Sequence, residues 1–270
     1  MNISAQQKGL SLVEILVAMV ISIFLLGGVI QVYVGNKATY NFSEAISRIQ
    51  ENGRFAMDII NRDLRMAGFW GCATFDPTDT SNMTNNLDPG GPDYDARLHD
   101  FIDNPAVQGT ENDGTNGSDS ITIRGAAPGQ ANIVPPFNSP TSANIFANVS
   151  DFIEVDDIVL LSNCKGADIF QVSNITTGPS AAKLSVVHNT GTGSPGNYNP
   201  DNCNAGHCLS QTYGNDSSLL KLQTIRYRIA TGDSGEASLF RAVYANEAEL
   251  VDGIEQMQIL YGVNTDSDNT

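Results

Sequence analysis

Residues 6–24 read QQKGLSLVEILVAMVISIF, and the apolar run continues to Val34. No charged side chain lies between Glu14 and Lys37. As a helix, Leu10 to Val34 rises about 37 Å at about 1.5 Å per residue, enough to cross a bilayer with some tilt. Glu14 is the discordant residue, and it decides between readings. A secretory signal peptide has a shorter apolar core, a small-residue cleavage site after it and no carboxylate within it, so it fits poorly. A lipoprotein signal needs a cysteine just past the apolar run, and the first one is Cys72. A plain anchor accommodates the length but leaves Glu14 unexplained, since a carboxylate placed centrally in a span costs about 2.5–3.5 kcal/mol.

Outside that run the chain is acidic and rich in turn formers. It has 270 residues, with 14 Lys and Arg against 30 Asp and Glu, giving a net charge of -16. Such a charge repels nucleic acid and anionic headgroups at long range, so no nucleic-acid partner is expected. The four cysteines, Cys72, Cys164, Cys203 and Cys208, all follow the apolar run. An even count there suits disulfides in an exported domain.

Beyond the apolar run, small or apolar residues recur at Phe42, Ile46, Ile49, Gly53, Ala56, Ile60, Leu64 and Ala67. Spacing by threes and fours makes one stripe of an amphipathic helix, the side on which a globular domain packs. Gly27, Gly28 and Gly53 each weaken that helix by about 1 kcal/mol relative to Ala, so local bending is expected there. Gly68 is placed to end it in the left-handed conformation. Residues 68–119 read as a connecting loop region on the surface, dense in Asp, Asn, Gly and Pro. Strands are expected at SITIRG from Ser120, DDIVLLSNC from Asp156, ADIFQVSNI from Ala167 and AKLSVVHN from Ala182. KLQTIRYRIA and ASLFRAVYA flank TGDSGE as a hairpin, and ELVDGIEQMQILYG closes the readable part, ahead of an acidic NTDSDNT tail. The pattern is α+β: one long N-terminal helix, then a mainly antiparallel sheet domain over residues 120–270.

The short polar leader, KG, and LSLVEILVAMVI together resemble the class III signal of type IV pilins and type II secretion pseudopilins. The resemblance implies a cytoplasmic leader, residues 1–9, cut by a membrane peptidase between Gly9 and Leu10, and N-methylation at Leu10. It also implies a transmembrane half at residues 10–34 and an amphipathic periplasmic half at residues 35–67. Glu14 becomes the fifth mature residue, whose carboxylate can neutralise the ammonium of a neighbouring subunit so that two buried costs partly cancel. The family usually has Phe at the first mature position; this chain has Leu10, and minor members accept other apolar residues there. RIQENGRFAMDIINRDLRMAGFWGC, Arg48 to Cys72, is similar to PilW-type minor pilins, and the closing segment from Glu249 resembles those and the J-type pseudopilins.

The resemblance implies a non-enzymatic subunit that primes pilus assembly at or near the tip. Its partners would be other minor pilins, the major pilin and the prepilin peptidase. It would sit in the inner membrane with its C-terminal domain in the periplasm, then in a pilus on the cell surface. A J-like minor pseudopilin of type II secretion and a tip adhesin or DNA-uptake component are the alternatives. For the cysteines, Cys72 with Cys164 and Cys203 with Cys208 are favoured, while the other two pairings stay open.

Four motifs suggest other chemistry. GDSG at Gly232 to Gly235 matches a protease nucleophile stretch but falls where a turn is wanted, and His99, His188 and His207 lack a supporting pattern. GTGSPG at Gly191 to Gly196 opens no helix, so it cradles no phosphate. Cys203, His207 and Cys208 lack a further ligand pair for zinc, and Asp266 with Asp268 is too sparse for calcium. No cofactor or metal is expected.

Overall fold

The computed structural model of the chain describes residues 11–73, 82–148, 151–178, 180, 183–191, 193–198, 203 and 205–262. Gly9, Leu10, Asp266 and Asp268 lie outside them. The chain divides into two compact units, residues 1–54 and 55–270. Helix α1, Leu12–Leu64, is a continuous run of 53 residues. No proline interrupts it, and it passes through Gly27, Gly28, Gly35 and Gly53 unbroken. Its end tightens through i+3 bonds, Met66 N–H to Asp63 O and Ala67 N–H to Leu64 O. Gly68 then turns with φ of +70°, donating its N–H to Arg124 O at 2.9 Å instead of to a helix carbonyl.

Within the second unit the strands are β1 (Met83–Asn85), β2 (Val107–Thr110), β3 (Ser120–Ala126), β4 (Ala131–Asn132), β5 (Asn144–Asn148) and β6 (Ile158–Asn163). After these come β7 (Gly166–Gln171), β8 (Asn174–Thr177), β9 (Lys183–Val187), β10 (Ser218–Thr231), β11 (Ala237–Val243) and β12 (Asn246–Asp252). The path β1-β7-β6-β10-β11-β12 forms the main sheet among the described residues, with β3 and β4 also on β10 and β2 on β3. β5-β9-β8 makes a second, smaller sheet. Pairing is antiparallel except for β1 beside β7, so the architecture is α+β, one long helix and mainly antiparallel sheets.

The 14 residues of β10 tie the sheet together by pairing first with β6, then β3, then β11. Its alternation is two-faced. Ile225, Tyr227 and Ile229 pack with Ile121, Ile123, Leu239 and the last turns of α1, where Ala56, Ile59, Ile60 and Leu64 meet them. Arg226 and Arg228 point the other way. The packed part of the helical stripe therefore starts at Ala56; within the first unit Phe42 and Ile49 are exposed.

β6 reads as a near-continuous apolar run because both of its faces are covered. Leu160 faces a cluster with Trp70, Phe101 and Ile169, while Val159 and Leu161 face one with Ile145, Phe170 and Val186.

Two expectations need correction. Residues 82–119 are more than surface loop: they carry β1, a short helix α2 (Ala96–His99) and β2, and they bury Leu87 and Phe101. Isolated apolar residues in a polar stretch show no period, but here each fills a place against the sheet, Phe101 edge-on to Trp70 at 6.1 Å. The run expected as one strand from Ala167 is divided at Val172 and Ser173 between β7 and β8, which lie in different sheets.

Candidate functional site

At the start of α1, Ser11 and Glu14 bond reciprocally. The Ser11 backbone N–H donates to Glu14 Oε2 at 2.9 Å, the Ser11 hydroxyl donates to the same oxygen at 3.1 Å, and the Glu14 N–H donates to Ser11 Oγ at 3.3 Å. This is a capping box, with Ser11 at the N-cap and Glu14 three residues on, and it satisfies donors that the first turn otherwise leaves free. Glu14 thus has a role within its own subunit that the spacing S-L-V-E already encodes and that the sequence reading passed over. Both groups are exposed, so the carboxylate stays open to a second donor.

From Ile15 to Ile30 the helix surface is almost wholly apolar and is exposed. It is long and apolar enough to cross a membrane, and none of its most apolar window is buried inside the protein. Two of its hydroxyls bond to the helix's own backbone: Ser22 Oγ donates to Ala18 O at 2.7 Å and Thr39 Oγ1 to Gly35 O at 3.0 Å. Internal satisfaction of this kind suits an apolar surrounding, where an unpaired polar group is costly. A Cβ at Gly27, Gly28 or Gly53 would meet nothing within 4 Å. Among the described residues of the first unit, these glycines serve no close packing.

In the second unit, Asp63 near the end of α1 sits against the sheet. It accepts from the Tyr227 hydroxyl at 2.6 Å and from Arg241 Nε at 2.9 Å, with Arg241 Nη2 at 2.8 Å. Asp63 and Tyr227 are both buried. Burial, and the carboxylate accepting its proton's hydrogen bond, push the Tyr227 hydroxyl well above the usual range. This set of three was missed because its members lie far apart in sequence and each looks like an ordinary surface residue in its own element.

Cys72 bridges Cys164, joining the segment after α1 to the end of β6, and Cys203 bridges Cys208. A buried carboxylate on β7, Asp168, anchors the chain after the second bridge. It accepts from the Ser210 and Tyr213 hydroxyls, each at 2.7 Å, and from Asn86 Nδ2 at 2.9 Å. Burial outweighs these donors, so its pKa is raised.

The GDSG stretch lies in the β10–β11 turn, closed by Gly232 N–H to Glu236 O at 2.8 Å. At the GTGSPG stretch the chain wraps Gln171: Gly196 N–H donates to Gln171 Oε1 at 2.7 Å, and a Cβ on Gly193 would come within 2.4 Å of that oxygen. His99 is a buried acceptor for the Asp95 N–H. Among the described residues no group of three or more His, Cys, Asp or Glu could hold a metal.

An apolar N-terminal helix with a carboxylate in its first turn, leading into a mainly antiparallel sheet domain, is consistent with a pilin-like fold. Residues 4–30 match the prokaryotic N-terminal methylation motif, and residues 226–270 match the family described as Type IV Pilus-assembly protein W. Together the two matches support a PilW-like type IV minor pilin. The second match covers the end of β10 from Arg226, the turn, β11, β12 and the closing segment, and so includes Tyr227 and Arg241; it does not reach Arg48 to Cys72. No curated protein and no solved structure matches the chain.

Proposed function

We propose that this chain is a minor pilin that is cut between Gly9 and Leu10, N-methylated at Leu10, and assembled into a type IV pilus with other minor pilins and the major pilin. Before assembly the helix would hold it in the inner membrane with the second unit in the periplasm. In the pilus it would prime assembly at or near the tip. The matches point to a structural protein. The observation that carries the reading is the uncovered apolar helix with Glu14 in its first turn, coinciding with the methylation motif over residues 4–30. Glu14 would then exchange one donor for another, leaving the Ser11 groups for the Leu10 ammonium of a neighbouring subunit.

Mass spectrometry of the chain from cells that contain the peptidase tests the processing. The expected N-terminus is methylated Leu10, and retention of Met1 to Gly9 would overturn the reading. Two variants separate the roles of the carboxylate. Glu14→Ala should insert in the membrane yet fail to enter pili, whereas Ser11→Ala, which loses the hydroxyl of the cap but keeps the carboxylate, should still enter them. Equal loss in both would assign Glu14 to helix capping alone.

A further inference from the structure

A cavity of about 470 Å³ lies where α2, the turn into β6 and the turn joining β11 to β12 come together. Its lining holds three carboxylates, Asp93, Asp156 and Asp157, and neither Lys nor Arg. Asp157 is neutralised by Lys221 Nζ at 2.7 Å, which does not itself line the cavity. Asp93 Oδ2 accepts from the Ser194 hydroxyl at 2.6 Å, a neutral partner. Asp156 is exposed, and its side chain has no partner among the described residues. Two negative charges therefore face this space without a counterion. On a chain of net charge -16, two exposed carboxylates alone would be a solvated surface.

His99 changes that reading. Its ring is 6% exposed and lies with its centroid 5.6 Å from those of Tyr94 and Tyr244. Nδ1 accepts the Asp95 N–H at 3.0 Å, so the ring proton sits on Nε2. Burial lowers the pKa, so the ring stays neutral near pH 7 with Nε2–H as its one donor. That donor has no partner among the described residues. It is also absent from the sealed, unpaired side-chain atoms there, which are Arg124 Nε, Ser162 Oγ, His188 Nε2 and Ser238 Oγ. Nε2–H therefore opens on the cavity that His99 lines. A held donor with no acceptor is half of a recognition contact.

We propose that this cavity receives a lysine side chain from a partner chain. The ammonium meets the carboxylates of Asp93 and Asp156, and a main-chain carbonyl of the same segment accepts from His99 Nε2–H. Val155 and Pro195 supply apolar wall for the four-carbon stem. A bare metal ion would meet a proton at Nε2 where it wants a lone pair. A neutral sugar would satisfy His99 but leave both negative charges as they were. A second copy of this acidic chain would be repelled at long range. The site stands whether or not the chain enters a pilus.

The test is NMR of the full chain in detergent micelles with its three histidines labelled with ¹⁵N. A capped Ser-Lys-Ser tripeptide should shift the His99 Nε2 resonance saturably. The same peptide with norleucine for lysine should bind about tenfold or more weaker, and butylammonium, which has no carbonyl, should leave the Nε2 resonance in place. Asp156→Asn should weaken peptide binding severalfold. Asp233→Asn, in the β10–β11 turn outside the cavity, should not. An unmoved His99 resonance, equal affinity for the lysine and norleucine peptides, equal weakening by the two Asn variants, or tighter binding of methyl glucoside than of the lysine peptide would each overturn the proposal.

Discussion

Asp63 is a single side chain that joins the last turns of α1 to two strands of the sheet. It is buried, it accepts from Tyr227 and Arg241, and both donors come from strands more than 160 positions away in sequence. Replacing it with Asn leaves Arg241 without its charge partner, and hydrogen bonds to charged groups are worth about 1.5–3 kcal/mol. Asp63→Asn should cost about 2 kcal/mol in denaturant unfolding, and Tyr227→Phe, which leaves the ion pair in place, about 1 kcal/mol. A loss below about 0.5 kcal/mol for Asp63→Asn would mean that the helix end is held by apolar packing alone.

His188 makes a second prediction at this scale. Burial, with the neighbouring His207 ring adding to it, lowers its pKa from 6.5 to about 4. Its ring lies tilted against Phe170 with centroids 4.9 Å apart, and its Nε2 has no hydrogen-bond partner among the described residues. The folded pKa lies below the unfolded one, so the unfolded chain binds the extra proton between the two values. The stability this residue confers is complete above pH of about 6.5 and lost as pH falls toward about 4, in all about 3 kcal/mol. Unfolding free energies of wild type and His188→Phe at intervals across that window check it; an identical slope in both would refute it.

Among elements, the strands that could be read beforehand are those whose pattern is set locally. β3 and β10 alternate because one face packs under α1, and β6 is continuously apolar because both faces are covered. β1, β2 and β5 escaped because each is short, and β1 and β5 gain their places from distant partners, β7 and β9. At the helix start the reverse occurred. The capping box was legible in Ser11 and Glu14, but a carboxylate in an apolar run drew a reading about neighbours first. The Asp63, Tyr227 and Arg241 set has no local signature at all, since only the folded register brings it together.

The two disulfides act on elements very differently. Cys72 and Cys164 are 92 positions apart, and Cys203 and Cys208 are 5 apart. Chain-entropy reasoning gives about 4–5 kcal/mol for the long closure and about 2 kcal/mol for the short one. Replacing Cys72 and Cys164 together with Ser should therefore lower the unfolding free energy by about twice as much as replacing Cys203 and Cys208. Equal losses would show that the short bridge has a packing role, through the Asp168 anchor at Ser210, that loop closure does not describe.

For the whole molecule, the division into two units near residue 54 implies a boundary that can be tested by where the chain is started. The sheet face under α1 is completed by Ala56, Ile59, Ile60 and Leu64, and Tyr227 and Arg241 need Asp63. All of these follow the boundary. A chain beginning at Ser43 keeps them and sheds the apolar segment, so it should be soluble without detergent and unfold in one cooperative transition. A chain beginning at Arg65 exposes Ile121, Ile123, Ile225 and Leu239 and leaves Arg241 without its carboxylate. Burying such side chains is worth about 1.5–3 kcal/mol each, comparable in sum to the full stability of a domain. That fragment should aggregate or lose its cooperative transition in calorimetry. Were it to unfold as sharply as the longer one, the last turns of α1 would be an appendage to the sheet and the unit boundary would belong near Gly68.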